Sequence, residues 1–198
     1  MSSTNSSLTL VLASTSRYRR ELLERLKIPF QTASPNADET PLHGESPEAT
    51  AGRLALAKAR SVNAQFRRAL IIGSDQVAFC EGARLDKPGD HDGALEQLNH
   101  SSGKSVRFVT AIALLNTVSG QAQVRIVPTE VKFRHLSTSE IARYVEAEPA
   151  YDCAGSAKAE GLGISLVESI RSDDPTALIG LPLIALSELL RKENLSVP

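Results

Sequence analysis

Apolar and polar residues follow one another along this chain in patterns that predict six strands. Short apolar runs bounded by polar residues are typical of buried strands, and two such runs joined by a turn around Ser119-Gly120 are typical of a hairpin. The predicted strands cover residues 9–13, 28–32, 70–79, 106–115, 123–133 and 164–170, of which the fourth and fifth form the hairpin.

Five further segments carry the signals of helices. Ser46-Pro47-Glu48 combines a serine cap, a proline at the first helical position and an acid in the first turn. Ser137 and Glu140 match the capping box, in which each side chain bonds the backbone amide of the other residue. The predicted helices cover residues 17–26, 46–66, 90–99 and 182–193, and the fourth in chain order runs from Ser137 to just before Pro149.

Composition places the chain among ordinary globular proteins. It has 198 residues, of which 41% are apolar and 23% are charged, and a chain of this length buries about 70% of its unfolded surface on folding. One domain is the simplest expectation, with residues 8–198 folded and the polar leader 1–7 disordered. Strands that alternate with helices in some places and pair as hairpins in others favour an α/β fold, with a mixed sheet flanked by helices.

Charge and cysteine content argue against several functions. The 22 basic and 23 acidic residues give a net charge of −1, whereas proteins that bind nucleic acid polymers carry a basic excess. A small anionic ligand needs only a local cluster of cations. Cys80 and Cys153 form no metal motif and are expected as free thiols. The apolar run 8–13 is too short for a signal peptide or a membrane span, so we expect a cytoplasmic protein without membrane partners.

The predicted strand, loop and helix at residues 10–26 are one candidate site. A helix N-terminus has unpaired amides and the positive end of the helix dipole, which together favour phosphate. The first turn also holds Arg17, Arg19 and Arg20, cations that oppose the dipole at a cost of about 0.3–1 kcal/mol each when exposed. A bound anion explains these arginines, and so does simple exposure to solvent; the pattern leaves both open.

Asp75 is the second candidate, because it interrupts the apolar run 70–79. A carboxylate in such a strand is costly unless it is paired, binds a metal or faces a cleft. Gly73 leaves room for another group to approach closely. The alternative is that Ser74-Asp75 marks only a hairpin or a bulge, but the apolar residues on both sides favour a functional acid.

Other polar residues carry little weight from their pattern alone. Asp38-Glu39 could supply carboxylates for a metal or a water, although a solvated loop is the simpler explanation. Lys58 on a long helix and Lys87 after a turn have the placement of ordinary exposed lysines. The Gly-rich segment 155–161 does not match the GxxxxGK[ST] phosphate loop, and the four histidines lack metal-ligand spacing.

Taken together, these segments resemble the Maf family of nucleotide pyrophosphatases. The resemblance extends over nearly the whole chain and rests on the order of eight short motifs rather than on any one of them. The motifs are Leu12-Ala13-Ser14-Thr15-Ser16, Arg19-Arg20-Glu21-Leu22-Leu23, Asp38-Glu39-Thr40-Pro41, Leu56-Ala57-Lys58-Ala59, Gly73-Ser74-Asp75-Gln76, Lys87-Pro88, Ala154-Gly155-Ser156 and Gly180-Leu181-Pro182-Leu183.

The resemblance implies an elongated mixed α/β fold, similar to that of ITPases, with two lobes around a deep central cleft. It also implies hydrolysis of a nucleoside triphosphate to the monophosphate and pyrophosphate, a divalent cation such as Mg²⁺ or Mn²⁺, and often a homodimer. Asp75 matches the family's catalytic carboxylate, which accepts a proton. The positions that match binding of the triphosphate and metal are Ser14, Arg19, Glu39, Lys58 and Lys87. Glu39 is expected to hold the metal, and the sequence leaves open whether Asp75 acts as the base or as a second metal ligand.

Tyr18, Gln76 and Glu160 are similar to the residues of the subgroup that acts on 7-methyl-GTP. Methylation at N7 makes guanine cationic, so an aromatic face gains about 0.5–2 kcal/mol of cation–π energy. A carboxylate at Glu160 can accept the guanine N1–H and N2–H₂ pair. The chain departs from the pattern at Tyr18, where the subgroup has Trp, and at Arg17, where the family has Pro.

We therefore expect hydrolysis of 7-methyl-GTP. One alternative keeps the chemistry and changes the base to that of dTTP, UTP or another modified nucleotide. The other is a nucleotide-binding regulator of cell division with little turnover.

Overall fold

A computed structural model describes residues 8–40 and 42–197, in which the chain forms seven strands and five α-helices. The predicted leader, residues 1–7, lies outside the described residues. The strands are β1 Thr9–Ala13, β2 Gln31–Ala33, β3 Ala69–Cys80, β4 Ala83–Leu85, β5 Ser105–Asn116, β6 Ala122–Phe133 and β7 Val167–Ser172. The α-helices are α1 Arg17–Glu24, α2 Pro47–Ser61, α3 His91–Ser101, α4 Thr138–Ala147 and α5 Leu183–Lys192.

The strands form one mixed sheet, as the sequence predicts. Its order is β2-β1-β3-β5-β6-β7, with β4 paired to the far end of β3. β1 is parallel to β2 and β3, whereas the other pairs are antiparallel. None of the helices in residues 8–40 and 42–197 has the length and apolar character that a membrane span requires.

A gap in this sheet lies beside the middle of β3. β1 pairs with β3 as far as Leu12 opposite Ile72, and β4 joins β3 only at Ala78. Residues 73–77 of β3 therefore have no strand partner on this side within the described chain, while β5 pairs with all of them on the other side. The sheet is continuous along one side of β3 and open along the other.

Two hydrophobic clusters lie at opposite ends of the long strands. One contains Leu12, Ile72 and Leu114 and is covered by α1 and α5. The other contains Phe108 and Phe133 and is covered by α3 and α4. Because β3 and β5 run through both clusters, they connect the regions on the two sides of the gap.

The predicted helix caps are present. Ser46 accepts a hydrogen bond from the amide of Ala49 at the start of α2. At the start of α4, Ser137 and Glu140 form the reciprocal capping box. The amide and hydroxyl of Ser137 both donate to the Glu140 carboxylate, which lowers the pKa of that carboxyl group to about 2.

The second predicted strand is displaced towards its C-terminal end. It was expected at residues 28–32, whereas β2 starts at Gln31. Lys27 has a left-handed backbone with φ of 55° and closes the turn after α1, and Pro29 has no amide to donate to a neighbouring strand. The chain can therefore join the sheet only after Pro29.

Two other predicted boundaries, the end of α2 and the start of β7, differ from those of the structure, and the strand β4 was not predicted. α2 ends at Ser61 rather than near residue 66, because a 3₁₀ turn follows it at Asn63–Gln65. Residues Leu162–Leu166 form a 3₁₀ helix, so β7 starts three residues after the predicted position. The three-residue strand β4 is too short to produce a recognisable periodicity.

α2 packs directly against β3 at Gly73. A Cβ atom at this position would lie 2.1 Å from the carbonyl oxygen of Ala55 and 2.8 Å from the amide nitrogen of Ala59, both backbone atoms of α2. No side chain other than hydrogen fits without separating the helix from the sheet. This close approach brings the helix residue Lys58 against Asp75 of β3.

Gly73→Ala is expected to lower the free energy of unfolding by about 1–3 kcal/mol, the usual cost of forcing an extra carbon into a packed core. The matched control is Gly52→Ala in α2, where the new Cβ would have neighbours at 3.7 Å and helix propensity favours alanine by up to about 1 kcal/mol. Denaturant unfolding of both variants measures the difference. Equal stability of the two variants would contradict this account of the packing.

Candidate active site

A cleft of about 800 Å³ opens at the gap beside β3. All nine residues that the sequence analysis assigned to a site line it: Ser14, Tyr18, Arg19, Glu39, Lys58, Asp75, Gln76, Lys87 and Glu160. They come from α1, α2, β3 and four loops. The fold thus brings together residues that are up to 146 positions apart, from Ser14 to Glu160.

The turn between β1 and α1 forms one wall of the cleft. Ser16 caps the helix by accepting a hydrogen bond from the amide of Arg19 at 3.4 Å. Ser14 is buried, and its hydroxyl oxygen accepts a hydrogen bond from the amide of Ser16 at 3.1 Å. The N-terminus of α1, with its unpaired amides, therefore borders the cleft, as an anion site requires.

The three arginines of α1 have different surroundings. Arg20 points to solvent and pairs with Glu24. Of the two explanations that the sequence left open, simple exposure to solvent therefore accounts for Arg20. Arg17 lies over the ring of Tyr18, with 4.7 Å between its guanidinium carbon and the ring centroid. Arg19 enters the cleft and donates from Nε to the carbonyl oxygen of Gly180 at 2.9 Å.

Arg19 lies in the electrostatic field of the acids. Burial lowers the pKa of its guanidinium, while the charges of Asp75 and Glu39 raise it. Gly180, which holds Arg19, has φ of 109°, a left-handed backbone conformation that favours glycine. The position of the Arg19 side chain therefore depends on this glycine turn.

Lys58 lies between two carboxylates of the cleft, those of Asp75 and Glu39. Its ammonium nitrogen is 2.6 Å from Oδ1 of Asp75 and 3.1 Å from Oε1 of Glu39. The side chains of Lys58 and Asp75 are only 9% and 8% exposed, whereas that of Glu39 is 59% exposed. The Lys58–Asp75 pair is thus a buried ion pair, and Glu39 reaches it from the solvent side.

This ion pair explains why the apolar strand β3 can contain an acidic residue. Asp75 pairs with a buried cation and faces the gap in the sheet, so it is neither a hairpin residue nor a bulge. Lys58 is likewise not the ordinary exposed lysine that its place on a helix indicated. The described residues contain no group of three or more His, Cys, Asp or Glu side chains placed to hold a metal ion.

A second group of side chains that line the cleft is aromatic and acidic, and it includes Tyr18, Asp152 and Glu160. The Tyr18 ring has the ammonium of Lys158 5.4 Å from its centroid in addition to Arg17. The Tyr18 hydroxyl accepts a hydrogen bond from Arg17 at 2.7 Å and lies 3.4 Å from Oδ1 of Asp152. The ring therefore already contacts cations, which is consistent with a surface that stacks on a positively charged ligand.

Glu160 and Asp152 place negative charge near the thiol of Cys153. Burial, together with the charges of both acids, raises the pKa of the Cys153 thiol to about 12. Cys153 and Cys80 are free thiols, as predicted. A thiol with so high a pKa is protonated at neutral pH, so Cys153 is not a nucleophile here.

Gln76 is held by the loop that precedes α5. Its amide nitrogen lies 2.8 Å from the hydroxyl of Thr110 and 3.0 Å from each of the carbonyl oxygens of Ala177 and Leu178. Ser74, two residues earlier on the same face of β3, lies 2.8 Å from the carbonyl oxygen of Gly180. This loop therefore positions Gln76, Ser74 and Arg19 together.

Several residues that shape the cleft were not found from the sequence. Arg84 and Asp86 line it as an ion pair at 2.8 Å, and Asp152 lines the wall beside Tyr18. Nothing in the pattern singled out Thr110, because a threonine in a predicted strand is ordinary. The carbonyl groups of residues 177–180 have no signal in the sequence, since every residue has one.

The fold and the cleft define an α/β protein whose mixed sheet is interrupted by a cleft that brings basic side chains and carboxylates together. The chain belongs to the Maf family, since the family model described as Maf-like protein matches residues 9–193.

Similar proteins from several bacteria carry the name 7-methyl-GTP pyrophosphatase. That of Aromatoleum aromaticum is 57% identical over 189 residues, which cover 96% of this chain and 97% of that protein. That of Thiobacillus denitrificans is 54% identical over 98% of this chain and 96% of its own length. That of Burkholderia thailandensis is 56% identical over 92% of this chain and 86% of its own length.

Lys58→Met is expected to lower the free energy of unfolding by about 3 kcal/mol, because it leaves the buried carboxylate of Asp75 without a cation. The double variant Lys58→Met/Asp75→Asn is expected to recover at least about 1 kcal/mol of that loss, since the uncompensated charge is gone. Denaturant unfolding of the wild type, the two single variants and the double variant measures the coupling.

The control is Arg20→Met, which removes an exposed pair with Glu24 and is expected to change stability by about 0–1 kcal/mol. Strictly additive effects of Lys58→Met and Asp75→Asn would show that the two side chains do not stabilise each other.

Proposed function

We propose that this protein is a nucleotide pyrophosphatase that hydrolyses 7-methyl-GTP to 7-methyl-GMP and pyrophosphate. The observation that carries the proposal is the buried ion pair of Lys58 and Asp75 in the cleft, with Arg19 and Glu39 beside it. Cations around a carboxylate allow a polyanion to approach an acid that would otherwise repel it. Relatives named 7-methyl-GTP pyrophosphatase, at more than 50% identity, support the same function.

In the proposed complex, the cations of the cleft bind the triphosphate. Arg19, Lys58 and Lys87 offset the negative charge that develops on the phosphate oxygens during the reaction. Ser14 and the amides at the N-terminus of α1 donate hydrogen bonds to the same oxygens. This binding holds the α-phosphorus near Asp75.

Asp75 is the general base of the proposed reaction. It accepts a proton from a water molecule as the oxygen of that water attacks the α-phosphorus. The bond between the α-phosphorus and the α,β-bridging oxygen then breaks, and pyrophosphate leaves. The oxygen of the water remains on 7-methyl-GMP, and Asp75 returns the proton to solvent.

The carboxylates of Glu39 and Asp75 fit a divalent cation, Mg²⁺ or Mn²⁺. Glu39 and Asp75 each have an oxygen within ion-pair distance of the same ammonium group, so both face the same part of the cleft. Mg²⁺ in nucleotide sites is typically held by one or two carboxylates together with substrate phosphates, without a cage of protein ligands. Bound there, the metal would neutralise phosphate charge and polarise the bond that breaks.

The base binds, in this proposal, at the end of the cleft lined by Tyr18, Gln76 and Glu160. Tyr18 stacks on the cationic base, and Glu160 accepts hydrogen bonds from N1–H and N2–H₂ of guanine.

The homodimer, the cytoplasmic location and the division of one domain into two lobes stay predictions.

Pyrophosphate release from a panel of 7-methyl-GTP, GTP, dTTP and UTP, with Mg²⁺ and with Mn²⁺, tests the proposal. The wild type is expected to have its highest kcat/KM with 7-methyl-GTP. A preference for dTTP or UTP would contradict the assignment of the base. No pyrophosphate from any nucleotide would contradict the assignment as an enzyme and favour a nucleotide-binding regulator.

Asp75→Asn is expected to reduce kcat by at least about 100-fold, the lower range of the contribution of a general base, while the protein stays folded by circular dichroism. The control is Asp92→Asn, the same change at a side chain that is 97% exposed on α3, which is expected to keep wild-type turnover. Turnover near that of the wild type in Asp75→Asn would contradict the role of Asp75.

A further inference from the structure

The amide group of Gln76 can adopt only one orientation. A side-chain amide carries a donor nitrogen on one side and an acceptor oxygen on the other, and a flip exchanges them. The nitrogen side of Gln76 faces the carbonyl oxygens of Ala177 and Leu178, each at 3.0 Å. Carbonyl oxygens only accept, so the –NH₂ group must lie on this side and the carbonyl oxygen Oε1 on the other.

Thr110 adds a third acceptor through its own hydrogen bond. Its hydroxyl donates its single proton to the carbonyl oxygen of Ala177 at 2.9 Å. The Thr110 oxygen can then only accept from Gln76, whose nitrogen is 2.8 Å away. Thr110 is completely buried, so no water competes for this contact.

The carbonyl groups that face Gln76 are themselves fixed by a buried acid. Asp174 is 2% exposed and accepts hydrogen bonds from the amide and hydroxyl of Thr176 and from the amides of Ile184 and Ala185. It thereby ties the loop that holds Ala177 and Leu178 to the start of α5. The acceptors on the inner side of Gln76 are part of a rigid framework rather than a mobile loop.

We propose that Thr110 and this loop fix Gln76 so that it presents only a hydrogen-bond acceptor, Oε1, to the base in the cleft. Gln76 then recognises a hydrogen-bond donor on the base, and Thr110 is the positioning residue that orients Gln76 for this contact. Glu160 also presents only acceptors when ionised. The cleft therefore selects a purine with adjacent donors, such as the N1–H and 2-amino groups of guanine, over one that lacks the amino group.

This inference rests on the proposed binding of 7-methylguanine nucleotides, and it is tested by binding rather than by turnover. Calorimetry gives the dissociation constants of the full-length protein for 7-methyl-GMP and for 7-methyl-IMP, which lacks the 2-amino group. The wild type is expected to bind 7-methyl-GMP at least about tenfold more tightly, because loss of the amino group leaves acceptors unpaired. Equal affinity for the two ligands, or no binding of 7-methyl-GMP, would overturn the proposal.

Variants of Gln76 separate its acceptor from its bulk. Gln76→Met keeps the length of the side chain and is expected to reduce the preference for the 2-amino ligand by about fivefold or more. Gln76→Glu keeps an outward oxygen and adds a charge that attracts a cationic base, yet it places an oxygen against three acceptors. We expect it to bind 7-methyl-GMP at least about fivefold more weakly than the wild type. Tighter or unchanged binding would show that the inner donor does not position Oε1.

Thr110→Val removes the acceptor without changing the shape of the side chain, and it is expected to reduce the preference for 7-methyl-GMP by about threefold. Thr110→Ser keeps the hydroxyl and is expected to restore the wild-type preference. The matched control is Thr129→Val, another completely buried strand threonine, whose hydroxyl bonds Ser172 on β7 away from the cleft. Equal ligand preference in Thr110→Val and Thr129→Val would contradict the positioning role.

The panel of triphosphates and these binding measurements test two separate claims, and either claim can be wrong while the other stands. If the wild type releases no pyrophosphate but binds 7-methyl-GMP with the expected preference, the proposed reaction is wrong and the reading of Gln76 stands. If pyrophosphate is released but the variants leave the preference unchanged, the proposed reaction stands and the proposed role of Gln76 is wrong.

Discussion

The ion pair between Lys58 and Asp75 is the interaction on which the rest of the cleft depends. Two charges less than 10% exposed stay in a protein interior only if each compensates the other, because the desolvation of a lone charge is prohibitive. Their contact requires α2 to lie against β3, and Gly73 is the residue that permits this approach. It also requires space beside β3, which the gap between β1 and β4 provides.

Successive side chains of β3 point to opposite faces of the sheet, so the cleft residues of this strand have different neighbours on the two faces. Asp75 points towards α2 and its lysine, whereas Ser74 and Gln76 point to the loop before α5. In the proposed function, chemistry at the α-phosphorus and recognition of the base therefore come from consecutive residues. The two faces are supported by separate contacts, so substitutions that alter base recognition leave the Lys58–Asp75 pair in place.

The sequence predicted most of this arrangement where a local physical signal existed. Apolar runs marked β1, β3, β5 and β6, and the caps at Ser46 and Ser137 marked the starts of α2 and α4 correctly. Asp75 stood out because an acid in an apolar strand needs a reason. Lys58 did not, because its burial depends on how closely a helix packs on a distant strand. Two of the acceptors around Gln76, the carbonyl oxygens of Ala177 and Leu178, lie about 100 positions away and are backbone atoms, so neither spacing nor residue type could predict them.

The central claim is that the cleft directs water to the α-phosphorus of a nucleoside triphosphate. Hydrolysis of 7-methyl-GTP in ¹⁸O-labelled water, followed by mass spectrometry of both products, tests this claim most directly. The account predicts one ¹⁸O atom in 7-methyl-GMP and none in pyrophosphate, because the oxygen of the attacking water stays on the phosphorus that it attacks. Label in pyrophosphate, or products that are 7-methyl-GDP and inorganic phosphate, would contradict it.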